Sequence, residues 1–456
     1  MDNMDKNCKK ENIDVGVLNG DSNVANSSHS SSHHSSHHSG HHHSHHGSHH
    51  SSHHGGHHGS HHGSHKRRRS SSSKKKKLNI NTKVAGIVAI VLMVLLTAFV
   101  ITFELTHYYK GADGNQQAGE LSAGILQVEV INKNGVLVNS AVERYLGADL
   151  TNPIYANSTP SSFANSSSGR LDAQIPMGLK LSIKEGNALS YRIELADNEL
   201  YENAKVYYLE ASSGTVEFKH LYTNATYYYR VTVYTKNGTD AISGTFLTAD
   251  TPRILSIDGL SNVRDIGNWK TDSGKRIKQG LLFRGTEMDG AVESGYHLTN
   301  AGLIDMLDIL GIKTDIDLRA QTPLSKDALG SRVEHKYYNM LMYKDVFTMD
   351  GKEKMRAVFV DLANPDNYPI YLHCSYGTDR TGTVCYILEA LLGVSKTDCR
   401  REYGLSNVKI EYILAVEEGL MSYGGGSLKE NAELYLLDCG ITTTQIESIR
   451  NIFLGD

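Results

Sequence analysis

The residues with the clearest capacity for chemistry stand together: His373-Cys374-Ser375-Tyr376-Gly377-Thr378-Asp379-Arg380-Thr381-Gly382. Five residues separate Cys374 from Arg380, which lets a loop curl its backbone N–H groups around one anion. An apolar strand at 370–373 precedes the loop, and helical spacing follows from Thr381. A helix starting there points its positive end at the same spot. The result is an anion cradle sized for a phosphate, with Ser375, Tyr376, Gly377, Thr378 and Thr381 around it. The planar fork of Arg380 can bind two phosphate oxygens. The same field favours the thiolate of Cys374. A thiolate facing a bound phosphoryl group is a nucleophile in position for covalent catalysis. Gly377 permits the unusual dihedrals of such a loop. Gly382 allows close packing as the helix starts, and the Thr381 hydroxyl can bond the sulfur and help it leave. The alternative is an inert, buried Cys beside a helix start. His373 before the loop, Gly377 inside it and Thr381-Gly382 after it weigh against that reading.

The loop has to be held by an α/β core. Residues 298–310 have Leu303, Met306, Leu307 and Leu310 at helical spacing, with Gly311 as a stop. Residues 312–318 alternate as a strand, and 381–392 carry Val384, Ile387, Leu388 and Leu391 on one helical face. Further helices are expected near 398–404, 408–421, 429–437 and 443–453. Alternating strands and helices imply one sheet covered by helices.

The stretch HCSYGTDRTG resembles the phosphate-binding loop of the cysteine-dependent protein tyrosine phosphatase superfamily, and within it the bacterial and fungal HC-x-x-G-x-D-R-T-G branch. Asn262-Val-Arg-Asp-Ile-Gly267, Leu281-Leu-Phe-Arg-Gly285 and Asp315-Ile-Asp-Leu-Arg319 are similar to other elements of that branch. The resemblance covers residues 253–456. It implies Cys374 as nucleophile, Arg380 as phosphate clamp and Asp379 as general acid, with His373, Arg264 and Asp265 in support. Other members of the superfamily take the acid from a loop about thirty residues upstream, which makes Asp345 the rival. Branch members active on phosphoinositides often have Lys where this chain has Thr378. That exchange weighs against strongly anionic lipid substrates. The chemistry needs no metal or cofactor.

Residues 125–251 read differently. Short alternating runs at 125–131, 179–183, 191–195, 206–209, 227–234 and 241–248 imply a β-sandwich, with a turn at Lys236-Asn237-Gly238. Residues 157–169 are Ser/Asn-rich and read as an insertion. Residues 221–234 resemble the penultimate strand of a fibronectin type III-like domain, with Tyr227 as the corner tyrosine that bonds back to the backbone. Such a module is a spacer or a docking unit. Sequons at Asn157, Asn165, Asn224 and Asn237 would matter only in a glycosylating host.

The amino-terminal 83 residues carry no packing pattern. Of 24 histidines, 19 lie between His29 and His65 in a tract of Ser, His and Gly. With no apolar side chain to bury, that tract is expected to be disordered. Its histidines could bind zinc, copper or nickel, or could be incidental low complexity. Residues 66–83 hold nine bases and no acids, and residues 84–103 are 20 residues without a charge. A helix of that length spans the hydrocarbon core, about 30 Å. This predicts one uncleaved signal-anchor helix at 84–103, with residues 1–83 cytoplasmic and everything after the stalk at 104–124 exported. From residue 84 onward the chain has 34 bases and 45 acids. An acidic exported part disfavours nucleic acid as partner.

The expected protein is therefore a single-pass, outward-facing membrane phosphatase acting on phosphate monoesters, foremost phosphotyrosine. Its partners would be a phosphorylated protein, small molecule or lipid, and the membrane. Alternatives are a phosphoinositide or small-molecule phosphatase, and a phospho-binding or surface adhesion protein without turnover.

Overall fold

A computed structural model of the chain describes residues 124–290, 295–319 and 328–455. The His-rich tail, the basic block, the apolar run at 84–103 and all but the last residue of the stalk lie outside the described residues. Among the described residues, no helix is long and apolar enough to cross a membrane.

Seven strands come first: β1 (Leu126–Ile131), β2 (Met177–Ile183), β3 (Ala188–Ala196), β4 (Lys205–Glu210), β5 (Thr215–Phe218), β6 (Thr226–Thr235) and β7 (Gly238–Leu247). They form two antiparallel sheets, β1-β2-β5 and β4-β3-β6-β7. The alternation that defines β6 is literal. Tyr227, Tyr229, Val231 and Val233 point into the sandwich core, and the residues between them do not. Tyr227 stacks on Phe246 at 5.5 Å between ring centroids, and its hydroxyl accepts the Tyr222 N–H at 2.8 Å. The hairpin turns through Lys236-Asn237, with Gly238 at φ +130°. Strand β5 has only four residues, too few for its alternation to stand out in the sequence.

The crossing from β1 to β2 departs from the sequence expectation. It is not a loop of the sandwich. It contains helix α1 (Ser140–Gly147), capped by the Asn139 side chain, which accepts the Ala141 N–H. Val138, Val142, Tyr145 and Leu150 belong to the core of the carboxy-terminal region, not to the sandwich core. The physical reason lies in where apolar area is available. Inward strand residues fill the space between the two sheets, so the apolar face of α1 is buried on the neighbouring helices. The Tyr145 hydroxyl ends this contact by donating to the Arg401 carbonyl at 3.2 Å. The chain boundary at 252 is thus not the boundary of packing.

The carboxy-terminal region is the expected α/β layer structure. Strands β8 (Arg264–Asp265), β9 (Leu282–Gly285), β10 (Thr314–Asp317), β11 (Glu334–Tyr337) and β12 (Ile370–His373) form a sheet in the order β11-β10-β12-β9-β8. All pairs are parallel except β8 with β9. Helix α2 (Asn300–Ile304) widens into a π turn at Asp305–Ile309 and stops at Gly311, φ +67°. Then come α3 (Met349–Leu362), α4 (Asp379–Leu392), α5 (Lys396–Gly404), α6 (Leu414–Met421), α7 (Leu428–Asp438) and α8 (Thr443–Leu454). Helix α3 was not anticipated; its inward set Met355, Val358, Phe359 and Leu362 is diluted by charged neighbours. Strand β12 is buried throughout, and α4 is buried from Thr381 to Leu392. The loop joining them is therefore clamped at both ends by fully packed elements.

Tyr145→Ala tests the shared core. Removing a buried aromatic ring costs about 3–5 kcal/mol. The only tryptophan, Trp269, packs against the same core. Urea unfolding followed by its fluorescence should show a lower midpoint; an unchanged midpoint would mean that α1 is a passenger.

Candidate active site

The C-terminal ends of β9, β10 and β12 converge on one spot, where parallel α/β sheets place ligands. Strand β12 ends at His373, residues 374–378 form the loop, and α4 begins at Asp379. Thr378 precedes the helix without a side-chain cap. The first N–H groups of α4 are therefore available to an anion in the loop.

Gly377 fixes the curl. It sits at φ +68°, and a Cβ there would lie 2.3 Å from the Gly285 carbonyl oxygen at the end of β9. Only glycine satisfies both constraints. A Cβ on Gly382 would meet the Tyr403 ring at 2.8 Å, so α5 can lie against the start of α4 only because this residue is glycine.

Cys374 is buried at the foot of the loop. Burial pushes its thiol pKa up, but the Thr381 hydroxyl and N–H, the Arg380 charge and the Thr378 N–H outweigh it. The net shift is downward, toward thiolate. The Thr381 hydroxyl faces the sulfur without a hydrogen bond of ordinary geometry to any described protein group. Arg380 spends one N–H on the Leu318 carbonyl at 3.4 Å; its Nε is buried and has no partner among the described residues. The Ser375 carbonyl accepts the Glu287 N–H at 3.1 Å. Tyr376 is exposed on the loop.

Asp379 accepts a hydrogen bond from the Tyr343 hydroxyl, which also contacts the Tyr403 hydroxyl at 3.0 Å. Asp345 is exposed in the 3-10 turn Tyr343–Phe347, and its carbonyl accepts the Thr348 hydroxyl. Of the two candidate acids, only Asp379 is bonded into the loop's surroundings; the Asp345 segment reaches it through Tyr343.

The supporting residues divide. Arg264 is part of a buried network behind the loop. Its Nε donates to Glu402 at 2.7 Å and its Nη2 to the Ser406 hydroxyl at 2.9 Å. Arg284 donates to the same Glu402 at 2.6 Å and to the Gly377 carbonyl at 2.7 Å. The Asn262 amide donates to the Tyr376 and Gly377 carbonyls at 3.1 and 3.3 Å. Burial would raise the Glu402 pKa, but its two arginines hold it below the usual carboxylate range. Asp265, expected beside the site, is not there. It pairs with Arg253 at 2.8 Å and accepts the Gly267 and Gly280 N–H groups. Arg253 in turn donates to the His220 and Leu221 carbonyls. The period-two geometry of β8 explains the split: adjacent residues face opposite sides, one to the loop and one to the sandwich. Sequence reasoning missed Glu402, Arg284, Asn262 and Tyr343 as contributors. Asn262 and Arg284 lay inside recognised segments, whereas no pattern marks Glu402 among the charges of α5.

His373 lies behind Cys374, with its Nε2 3.1 Å from Asp315. Asp315 also accepts from His335 at 2.8 Å. Burial lowers the His373 pKa, but the Asp315 charge outweighs it and lifts the value to about 9. Burial likewise works against Asp315, yet the two imidazoles hold it at about 2. Arg319 closes this side by pairing with Asp317, Asp289 and Glu287. Among the described residues, no group of three or more His, Cys, Asp or Glu side chains is placed to hold a metal ion.

With this geometry in hand, similarity to known proteins is informative. The model of the tyrosine phosphatase family matches residues 255–455. These residues belong to that family. Over 179 residues the chain is 26% identical to a Cupriavidus necator protein whose name assigns it to the tyrosine-protein phosphatases, covering 34% of this chain and 63% of that relative. The chain also aligns with the core catalytic domain of the PP-IP phosphatase Siw14 from S. cerevisiae in complex with citrate. That match has 15% identity and a TM-score of 0.22, over 34% of this chain and 80% of the other. A second structure of the Siw14 catalytic core gives 13% identity and a TM-score of 0.23, over 37% and 84%.

A pH prediction follows from the His373–Asp315 pair of the phosphatase domain. A His pKa raised in the folded state adds stability that is full below the ordinary value of 6.5 and is lost as pH rises through about 9. His373→Gln should abolish that component, on the order of 3 kcal/mol between pH 6.5 and 9. Urea midpoints of both proteins across this range measure it; parallel curves would contradict the assignment.

Proposed function

We propose that the chain is a phosphatase that hydrolyses phosphate monoesters through a cysteinyl-phosphate. The observation that carries this reading is a thiol biased toward thiolate at the foot of a loop whose arginine has a buried Nε without a partner among the described residues. In the first step the Cys374 sulfur attacks phosphorus and the P–O ester bond breaks. Asp379 gives its proton to the departing oxygen. The loop amides and Arg380 stabilise the charge on the transferring phosphoryl group. In the second step Asp379, now a carboxylate, takes a proton from water as that water attacks phosphorus. The P–S bond breaks, returning the Cys374 thiolate and releasing phosphate. Thr381, beside the sulfur, supports its departure.

Aryl phosphates, and phosphotyrosine first among them, are the substrates this reading favours. Tyr376 and Tyr412 are exposed, and Tyr412 lies against Tyr343 at 6.2 Å between ring centroids, beside Asp379. An aromatic mouth accepts a planar ring. Thr378 in place of a loop lysine disfavours polyphosphorylated head groups. We further propose that the basic block and the apolar run at 84–103 anchor the enzyme with its catalytic part outward. Two sheets of three and four strands and the Tyr227 corner support a fibronectin type III-like module beside it.

Turnover of p-nitrophenyl phosphate and of phosphotyrosine peptides tests the chemistry. Cys374→Ser should be inactive; full turnover by that variant would sink the mechanism. Asp379→Asn should lose about 100-fold or more on phosphotyrosine, as removal of a general acid does. It should lose less on p-nitrophenyl phosphate, whose leaving group needs no proton. Asp345→Asn should stay within about threefold of wild type on both. The opposite ranking would move the acid to Asp345.

A further inference from the structure

The β1–β2 crossing does more than bury an apolar face, because its last part reaches the back of the phosphate loop. The Asp172 carboxylate accepts the Asn262 N–H at 3.0 Å and the Ser261 hydroxyl. Asn262 is the residue whose amide donates to the Tyr376 and Gly377 carbonyls. It is held at φ +56°, a left-handed conformation that needs support from its surroundings. Its side-chain oxygen accepts from Arg264, and its amide also contacts Ser406. Arg170 fixes Asp172 in a paired contact at 3.1 Å and donates to the Leu260 carbonyl at 3.4 Å. On the other flank, the Ser161 N–H donates to Asn407, the neighbour of Ser406. The crossing therefore grips both segments that hold the loop, 260–262 and 406–407. None of residues 161, 170 or 172 lies within the family domain.

We propose that Asp172 is a positioning residue of the active site, acting through Asn262 to hold the phosphate loop in its anion-binding curl. The proposal rests on the phosphatase reading for its consequence in turnover, but not for its consequence in loop geometry. Asp172 is mostly buried, and burial would raise its pKa. Arg170, Ser261 and the Asn262 N–H hold it at about 2, so it remains a charged acceptor throughout the working range. A charged acceptor binding one N–H and one hydroxyl fixes Asn262 more firmly than a neutral one. The Gly377 carbonyl that Asn262 binds belongs to the same peptide as the Thr378 N–H, which reaches the Cys374 sulfur. Loss of Asp172 should therefore show first in anion affinity and in Cys374 ionisation.

The full chain would be compared as wild type, Asp172→Ala and Asp172→Asn, with Asp149→Ala as an exposed acid of the same crossing. Four quantities are read: kcat and KM on p-nitrophenyl phosphate, vanadate affinity, and the pH profile of Cys374 alkylation by iodoacetamide. Cys374→Ser corrects for other thiols. Asp172→Ala should lower kcat/KM by about 10- to 100-fold, the scale of a displacement near 1 Å. It should also weaken vanadate and move the alkylation profile to higher pH, with the melting temperature nearly unchanged. Asp172→Asn should fall between it and wild type, and it serves alone if the alanine variant does not fold. Asp149→Ala should match wild type. Unchanged alkylation and vanadate binding in both Asp172 variants would overturn the proposal, as would losses that merely follow melting temperature. If wild type binds vanadate but does not turn over, the phosphatase reading fails while the alkylation and vanadate arms still decide this one.

Discussion

Glu402 between Arg264 and Arg284 is the contact on which the site depends. All three side chains are essentially inaccessible to water. Desolvating such charges costs several kcal/mol per ion unless the geometry is good and the remaining donors are satisfied. Here the Arg284 Nε has no partner among the described residues, but the other donors go to groups that matter. Arg284 gives its other terminal nitrogen to the Gly377 carbonyl, and Arg264 uses Asn262 and Ser406. The network thus transmits the position of α5 and β8 to the loop. A hydrophobic cluster of equal volume could fill the space, but it could not hold a carbonyl by direction.

That arrangement explains how a buried thiol is kept ionisable. Burial alone disfavours a thiolate, and the other cysteines of the phosphatase domain show it: Cys385, Cys399 and Cys439 are all pushed upward by burial. Cys374 differs because the Thr381 hydroxyl, turned-in N–H groups and Arg380 reach it. The thiolate is therefore a property of the loop's shape, and the shape is imposed from behind by the arginine network. The field of His373, Asp315 and Arg319 forms a second, separate layer beneath the strand ends.

Much of the phosphatase domain was legible in the sequence because its elements are short in range. Strand 370–373, the loop and α4 are contiguous, and their chemistry is written in adjacent residues. The strongest sandwich strand was legible for the same reason, through the strict alternation from Tyr227 to Val233. What could not be read depends on distant pairing. Glu402 gains meaning only when folding brings it to Arg264 and Arg284, 138 and 118 residues earlier. Asp265 was expected at the site because it stands with Arg264 in the family-like element at 262–267, yet pleating turns it to the opposite face. Within the β1–β2 crossing only the Ser/Asn-rich part at 157–169 stood out, as an insertion, and α1 was not legible because its apolar residues serve another core.

That crossing also orders events as the chain is made. Tyr145 finds its hydroxyl partner 256 residues later. When the sandwich strands have been synthesised, α1 and the segment to Asp172 still have no surface to settle on. Arg170 and Asp172 meet residues 260–262 soon after, but α1 must wait, apolar side chains uncovered, until α4 and α5 have emerged, about 150 residues after the last sandwich strand. Contacts of such separation form late and slowly. The surroundings of Cys374 are thus completed only after the chain is nearly whole, so a truncated product would carry the sandwich but not the groups that bias this thiol toward thiolate.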